Sequence, residues 1–296
     1  MTDGAAPPRR IYELGRFLEI QNVGLNLPFA LAFLVLAAGG IPSLWVVFLV
    51  VVAFVSARNA GHSFNRWADR DLDAANPRTR DRAIPSGRRS PASALALAAV
   101  SGAVLLVAAF LLNPLAFVLA PVALAIVFGY SYTKRFTVLT TPFLGFVEGV
   151  TPGAVFIAVQ GTLPGFVLLA VGGLLAWGTA FETVHSLGDL ESDRALHLRS
   201  LPARIGVQAS VRLVPALHAV ALVLLALFGF ALELRVPYFA GLGAMAVIAL
   251  MTDLSLARSP SSPRVPFQRH FVMAAVYLAG VLIAVFSPLG PHVPGL

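Results

Sequence analysis

Residues 42–73, which read PSLWVVFLVVVAFVSARNAGHSFNRWADRDLD, contain the pattern that decides the fold. Residues 42–64 form an apolar stretch, and a polar segment with regularly spaced aspartates follows it directly. The hydrocarbon core of a bilayer is about 30 Å thick, so around 20 mostly apolar residues are enough for a helix to cross it. Residues 42–64 are therefore predicted to form a transmembrane helix that places its aspartates at the membrane surface.

The same kind of apolar stretch recurs along the whole chain. We identify nine, at residues 20–40, 42–64, 93–112, 114–131, 142–160, 163–186, 211–232, 236–257 and 269–287. Backbone groups in lipid must be hydrogen-bonded within their own segment, which favours helices. The predicted fold is an all-α integral membrane protein, a bundle of nine transmembrane helices. We expect one domain over residues 1–296, with residues 1–19 as its N-terminal tail.

The composition excludes several classes of protein. Hydrophobic residues make up 58% of the 296 residues and charged residues only 12%, whereas soluble proteins carry roughly 25% charged residues. This rules out a soluble globular enzyme, and a disordered chain would be far more polar. The chain has no cysteine, which excludes disulfides, thiolate metal sites and a cysteine nucleophile.

The basic residues predict the orientation in the membrane. The formal net charge is +7, and of the 21 Lys and Arg residues only Arg235 falls on the opposite side of the predicted helices from the others. The positive-inside rule places the side rich in Lys and Arg in the cytoplasm. We therefore expect a multi-pass protein of the inner or plasma membrane, with the N-terminus cytoplasmic and the C-terminus outside. The basic charge is then a topology signal, and no nucleic acid partner is expected.

The first acidic cluster lies at the predicted cytoplasmic end of the second apolar stretch. Asn65, Asp69 and Asp73 fall within about 80° of one another on a helix, while Asp71 points away. Pro77 cannot continue the helical hydrogen-bond ladder. A basic run follows, consisting of Arg78, Arg80, Arg82, Arg88 and Arg89.

The second acidic cluster follows the sixth apolar stretch. Glu182, Asp189 and Asp193 fall within about 40° of one another on a helix, and His185 flanks the same face. Basic and histidine residues again come next, namely Arg194, His197, Arg199 and Arg204. A lone acid at a membrane surface is ordinarily a solvated helix end, but two such one-faced clusters indicate a site.

Oxygen ligands without sulfur suit a hard cation such as Mg²⁺, which binds through a few carboxylates together with substrate phosphates. Arginine and lysine clamp phosphate oxygens. Residues 130–135, at another predicted cytoplasmic helix end, offer Lys134 and Arg135 as such a clamp and Tyr130 and Tyr132 as an aromatic surface. The pattern therefore predicts a site for metal ions and a diphosphate.

Three motifs resemble the UbiA-type intramembrane prenyltransferases. Residues 65–87 are similar to the first signature of that family, Asn-x₃-Asp-x₃-Asp with an Arg-Thr and Ser-Gly tail. Glu182, Asp189 and Asp193 resemble its second signature, Asp-x₆-Asp-x₃-Asp. Residues 130–136 resemble the Tyr-x-Tyr-x-Lys-Arg-Phe segment of the branch that uses aromatic acceptors.

The resemblance implies a helical bundle around a central cavity and Mg²⁺-dependent transfer of a polyprenyl group from an allylic diphosphate to an aromatic acceptor. That acceptor would be 4-hydroxybenzoate or a dihydroxynaphthoate, in ubiquinone or menaquinone synthesis. The implied ligands of the metal and the diphosphate are Asn65, Asp69, Asp73, Asp189 and Asp193. The implied clamp of the diphosphate is Arg78, Arg82, Lys134 and Arg135. The implied catalytic residues are Asp69, Asp73, Asp189, Asp193 and Lys134. Two residues depart from the family pattern, since Glu182 replaces an Asp and His185 replaces a common Tyr.

Several alternatives stay open at this point. A member of the same family could use haem, a chlorophyll precursor, a phospho-sugar or a glycerol phosphate as its acceptor. A secondary transporter is disfavoured because its acidic sites usually lie near the bilayer midplane. Glu148, inside the fifth stretch, would either contact the acceptor or form an internal pair. His218 and Asp253 are expected to be hydrogen-bonded packing residues, and Asn26 could face the interior.

Overall fold

A computed structural model describes residue 17 and residues 23–77, 79–137 and 140–287. Every regular element in these ranges is a helix. In chain order they are α1 (Val23–Ala38), α2 (Leu44–Ala68), α3 (Arg70–Ala75), α4 (Pro91–Leu112), α5 (Pro114–Phe136), α6 (Thr140–Gly149), α7 (Thr151–Gln160), α8 (Val167–Gly188), α9 (Leu190–Ala195), α10 (Leu201–Ile205), α11 (Val207–Ala231), α12 (Val236–Arg258) and α13 (Arg264–Phe286).

The helices confirm the predicted all-α membrane fold. Within the described ranges, eight segments are long and apolar enough to cross a membrane, and α1 adds a shorter apolar helix next to residues that the structure does not describe. Together they correspond one to one with the nine predicted stretches. Three short helices, α3, α9 and α10, lie in the two long connections.

The fifth stretch differs from the prediction of one continuous helix. It consists of α6 and α7, which are separated at Val150. Pro152 lies in the first turn of α7 and has no N–H group, so it cannot donate to the carbonyl of Glu148. The interruption therefore falls directly beside an acidic residue inside the span.

The long helices pack in chain order and close a ring. Each helix contacts the next in the series α1, α2, α4, α5, α6, α8, α11, α12 and α13. The last helix, α13, packs against α1 and closes the ring. Of the candidate spans, α8 is the most buried. Phe29 and Phe33 of α1 pack against Trp177 of α8, Phe228 of α11 and Tyr277 of α13, so this aromatic core joins four helices.

Large apolar side chains remain exposed on the outside of the bundle. Phe110, Val118, Val223 and Phe230 are examples on α4, α5 and α11. In water such a surface would be unstable. In a bilayer it faces lipid chains, which is the surface expected of a multi-pass membrane protein.

Candidate active site

The first acidic cluster is built on a bend at Asp69. This residue separates α2 from α3 and has φ −95° and ψ 5°. Its N–H still donates to the carbonyl oxygen of Asn65 at 2.8 Å, and the N–H of Asp73 donates to that of Asp69 at 2.7 Å. The sequence analysis assumed one continuous helix here, whereas the structure shows a bent one that keeps these hydrogen bonds.

The second acidic cluster repeats this bend. Asp189 separates α8 from α9 with φ −103° and ψ 1°. The N–H of Asp193 donates to the carbonyl oxygen of Asp189 at 2.8 Å. We call these bends the first Asp turn (Asp69–Asp73) and the second Asp turn (Asp189–Asp193). Two long helices thus end in the same local structure, each followed by a helix of six residues.

The polar side chains of the first Asp turn are buried and oriented. Asp69 is 1% exposed and Asp73 is 6% exposed. Asn65 donates to Asp69 Oδ2 at 2.8 Å and to Ser131 Oγ of α5 at 3.4 Å. The side chain of Asp71 is 85% exposed, which confirms that it points away from the cluster.

The loop after α3 folds back over Asp73. Arg82 donates to Asp73 Oδ1 at 2.7 Å, and Thr79 Oγ1 donates to the Asp73 carbonyl oxygen at 3.1 Å. Arg66 lies on the other side, with a guanidinium nitrogen 4.0 Å from Asp73 Oδ2. Arg82 therefore lies against the first acidic cluster. Arg78 lies outside the described residues.

Tyr130 connects the two Asp turns. Its hydroxyl lies within Coulombic range of the carboxylates of Asp69, Asp193, Glu182 and Glu148. The ring stacks on Phe143 of α6, with centroids 6.4 Å apart and planes 13° apart. The two clusters, which are more than 100 residues apart in the chain, therefore both have carboxylates near Tyr130, and we refer to the region around Tyr130 as the chamber.

The structure describes the side chain of Tyr132 and the backbone of the remaining basic segment, residues 131–136. Tyr132 packs edge-on against Phe64 of α2 at 6.0 Å, so it faces a different helix from Tyr130. The backbone of α5 extends to Phe136. The side chains of Lys134 and Arg135 lie outside the described part of the chain.

Glu182 and His185 form a pair beside the second Asp turn. His185 Nδ1 lies 3.4 Å from Glu182 Oε2. The Glu182 carboxylate is mostly buried, whereas the His185 ring is 42% exposed. The two residues that depart from the family pattern thus contact each other.

Glu148 lies inside the span and is held by a partner on α1. Asn26 donates to Glu148 Oε1 at 3.1 Å, which confirms that Asn26 faces the interior. Glu148 Oε2 is buried and accepts no hydrogen bond from any residue in the described ranges. The carboxylate lies within Coulombic range of Glu182, His185 and Arg58.

Arg58 is a further basic residue near Glu148 that the sequence motifs do not single out. It is half-buried on α2, two turns before Asn65, and its charge lies within Coulombic range of Glu148. The available signal was its position inside an apolar stretch, where ionisable residues are rare and commonly functional. It was counted only as one of the basic residues that indicate topology.

The residues present fit a divalent cation that is shared with a phosphate ligand. Among the described residues, no three Asp, Glu or His side chains are close enough to hold a metal ion by themselves. Mg²⁺ commonly takes only one or two carboxylates and completes its octahedron with phosphate oxygens and water. Asp73 Oδ2 is buried and accepts no hydrogen bond within the described ranges, so an oxygen is available for such a cation.

Known proteins resemble this chain over most of its length. Residues 26–275 match the model of the UbiA prenyltransferase family. The 4-hydroxybenzoate octaprenyltransferase of Cupriavidus necator is 32% identical over 211 residues, which cover 71% of this chain and 74% of that protein.

Two solved structures have the same fold. A UbiA homolog from Aeropyrum pernix K1 in its apo form has a TM-score of 0.81 and 29% identity, covering 89% of this chain and 98% of that one. A UbiA homolog from Archaeoglobus fulgidus bound to GPP and Mg²⁺ has a TM-score of 0.73 and 19% identity, covering 93% and 99%. The chain therefore belongs to the UbiA prenyltransferase family and is a multi-pass integral membrane enzyme that transfers prenyl groups.

Proposed function

We propose that this enzyme transfers a polyprenyl group from an allylic diphosphate to an aromatic acceptor, either 4-hydroxybenzoate or a dihydroxynaphthoate, in a Mg²⁺-dependent reaction of quinone synthesis. The observation that carries the proposal is that a carboxylate from each Asp turn, Asp69 and Asp193, lies within Coulombic range of Tyr130. The similarity to a 4-hydroxybenzoate octaprenyltransferase supports the reaction class. The homolog of the same fold that was solved with GPP and Mg²⁺ supports the ligand pair.

The Asp turns hold the diphosphate end of the donor. Asn65, Asp69 and Asp73 from one half and Asp189 and Asp193 from the other provide the oxygen ligands for Mg²⁺. When bound, Mg²⁺ neutralises the diphosphate oxygens and makes the diphosphate a better leaving group. Asn65 orients Asp69 through the 2.8 Å hydrogen bond, so this carboxylate is positioned before the substrate arrives.

The basic residues complete the diphosphate site. Arg82 lies against Asp73, and its guanidinium, which carries five donors, also binds phosphate oxygens in the proposal. Arg78, Lys134 and Arg135 complete this clamp in the proposal. Their positive charge stabilises the negative charge that develops on the diphosphate as the carbon–oxygen bond breaks.

The acceptor occupies the deeper part of the chamber. Its carboxylate pairs with Arg58, a cation inside the span. Its hydroxyl donates to Glu148 Oε2, the buried oxygen without a hydrogen bond among the described residues. Asn26 holds the other oxygen of Glu148, which fixes the carboxylate for this contact.

The reaction breaks the allylic carbon–oxygen bond and forms a carbon–carbon bond to the aromatic ring. The bond between the allylic carbon and the diphosphate oxygen breaks, and its electron pair leaves with the diphosphate. A ring carbon beside the acceptor hydroxyl attacks the allylic cation, and its proton passes to the pair formed by Glu182 and His185. The faces of Tyr130 and Phe143 stabilise the cation, while Tyr132 supports the wall of the chamber through Phe64. Burial within the bundle keeps water from quenching the cation.

Orientation follows from the charge distribution. We place the Asp turns at the cytoplasmic face of the plasma or inner membrane, with the N-terminus inside and the C-terminus outside, because the loops on that side carry nearly all the Lys and Arg residues. The diphosphate and the small acceptor then enter from the cytoplasm, and the isoprenoid tail extends toward lipid.

The test is turnover by the purified chain in lipid nanodiscs with Mg²⁺ and geranyl diphosphate. The acceptors 4-hydroxybenzoate and 1,4-dihydroxy-2-naphthoate are supplied in parallel, and prenylated product and released diphosphate are measured by mass spectrometry. We expect product with one of the two acceptors, and none after chelation of Mg²⁺. Diphosphate-dependent turnover only with a haem, chlorophyll, sugar-phosphate or glycerol-phosphate acceptor would overturn the aromatic assignment.

A further inference from the structure

We infer that Asp253, His218 and His270 form a proton-sharing network that positions the aromatic face of α8 behind the acceptor site. We call these three residues the Asp–His–His network. They lie on α12, α11 and α13 and belong to neither Asp turn. The positioning role rests on the proposed function, whereas the count of shared protons does not.

The network is a continuous chain of hydrogen bonds. His218 Nδ1 lies 2.8 Å from Asp253 Oδ1, and His218 Nε2 lies 3.3 Å from His270 Nε2. His270 Nδ1 lies 3.0 Å from the carbonyl oxygen of Pro266. Both imidazole rings are buried, with His218 2% exposed and His270 0% exposed. The expected hydrogen-bonded packing of His218 and Asp253 is thereby confirmed, and His270 is its unexpected third member.

The two ends of the chain fix how many protons it contains. A carbonyl oxygen only accepts, so His270 Nδ1 carries a proton. Each of the other two contacts needs one proton between its heavy atoms. The network therefore holds three protons, one more than an ionised aspartate with two neutral histidines.

The extra proton makes the network electrically neutral. A negative charge on Asp253 is balanced by one positive charge shared over the histidines. A neutral, fully hydrogen-bonded group can be buried in a membrane span, whereas an uncompensated carboxylate there is costly.

The charged residue adjacent to His270 in the chain has partners of its own. Arg269 donates to the Met251 carbonyl oxygen at 2.5 Å and to Ser255 Oγ at 2.7 Å. From α8, the groups that face His270 are the uncharged rings of Trp177 and Phe181. His185 of α8 is titratable and stacks on Phe181.

His270 supports an aromatic ladder on α8. Trp177, Phe181 and His185 follow one another at intervals of four residues and lie on one face of the helix. Trp177 stacks on Phe181 at 6.0 Å and Phe181 stacks on His185 at 6.3 Å, with planes 9° and 15° apart. The His270 ring meets Trp177 edge-on at 5.6 Å and Phe181 at 5.3 Å.

The ladder connects the network to the acceptor site. His185, at its end, contacts Glu182 and lies within Coulombic range of Glu148. Aromatic pairs of this kind have a preferred geometry, so a displaced His270 ring would allow the ladder to move. The acceptor would then bind less tightly, while the diphosphate site at the Asp turns would be unaffected.

One substitution separates the proton count from the packing. In Asp253→Asn, the new amide can donate to His218 Nδ1, His218 Nε2–H can donate to His270, and His270 Nδ1–H to Pro266. All contacts are then satisfied with both rings neutral and without the extra proton. Asp253→Leu instead leaves His218 Nδ1 without a partner in an apolar environment.

The first experiment counts protons by nitrogen-15 NMR of histidine-labelled protein in nanodiscs at pH 7, with assignment by His218→Gln and His270→Gln. We expect three protonated ring nitrogens among the four of His218 and His270 in the native protein and two in Asp253→Asn. Two in both proteins would overturn the network, whatever acceptor the enzyme uses.

The second experiment measures kcat and both KM values with the acceptor that the native enzyme accepts. We expect Asp253→Leu to raise the acceptor KM at least fivefold and to leave the KM of the prenyl diphosphate within twofold. Asp253→Asn should restore the acceptor KM to within twofold of native. A loss of active enzyme alone would lower kcat and leave both KM values unchanged, and that result would overturn the positioning role.

Discussion

At the scale of single residues, Arg82 is a basic side chain that hydrogen-bonds directly to the acidic cluster. It donates to Asp73 at 2.7 Å, whereas Arg80, two residues earlier, is exposed. The two residues have the same charge and lie in the same loop. Substituting each of them in turn therefore distinguishes a specific contact of Arg82 with the diphosphate from a general effect of the positive charge of the loop.

We expect Arg82→Ala to reduce kcat/KM for the prenyl diphosphate by about 10- to 100-fold, since a hydrogen bond to a charged group contributes about 1.5–3 kcal/mol. Arg80→Ala should stay within twofold of native. Steady-state kinetics in nanodiscs measures both. Equal losses in the two variants would show that only the overall charge of the loop matters.

Glu148 is the residue whose chemistry is most specific to the acceptor. Glu148→Gln can still accept from Asn26, but it replaces Oε2 with an amide NH₂ group, which cannot accept a hydrogen bond from the hydroxyl of the aromatic substrate. We expect the acceptor KM to rise about tenfold, equivalent to about 1.4 kcal/mol of binding, with the diphosphate KM unchanged. Glu191→Gln, on the exposed face of α9, is the control. An unchanged acceptor KM in Glu148→Gln would remove Glu148 from the acceptor site.

At the scale of elements, α6 and α8 approach each other closely because glycines line their contact. A Cβ on Gly145 would lie 2.6 Å from the Thr179 nitrogen and 2.8 Å from the Leu175 oxygen, both backbone atoms that cannot move independently. A Cβ on Gly129 of α5 would have no neighbouring atom within 4 Å. This close approach brings Glu148 of α6 next to α8.

Gly145→Ala should therefore destabilise the protein, because overpacking costs about 1–3 kcal/mol, and it should lower the midpoint of thermal unfolding in detergent. Gly129→Ala should leave the midpoint equal or higher, since alanine is the better helix former. If both variants unfold at the native midpoint, α6 and α8 do not pack as closely as described.

The sequence predicts the elements well because each apolar stretch carries its own length signal. It also predicts the faces of Asn65, Asp69 and Asp73, since spacing along one helix fixes them. Partners between helices are not visible in such spacing. The contact of Asn26 with Glu148 and that of His270 with His218 depend on how distant helices pack. The break at Val150 has a local cause, because Pro152 lacks an N–H group, but the apolar stretch around it hides this signal.

At the scale of the whole molecule, the charge asymmetry predicts which ends of the helices face the cytoplasm. The native chain contains no cysteine, so a single introduced cysteine is a unique label. Ser86, in the loop after the first Asp turn, and Ile41, between α1 and α2, are both exposed. They lie at opposite ends of α2.

We expect Ser86→Cys to react with a membrane-impermeant maleimide only after the cells are opened, and Ile41→Cys to react in intact cells. The labelled fraction is measured by mass shift on gels. The reverse pattern would invert the orientation and place the diphosphate site on the outer face.

In the proposed function, two distant parts of the chain jointly hold one Mg²⁺–diphosphate ligand. The most direct measurement is calorimetric titration of a non-reactive geranyl thiolodiphosphate, with Mg²⁺, into the protein in nanodiscs. We predict that Asp73→Asn and Asp193→Asn each weaken binding at least tenfold, while Asp71→Asn and Glu191→Gln bind as the native protein does. Native binding by either Asp73→Asn or Asp193→Asn would contradict a site shared between the two Asp turns.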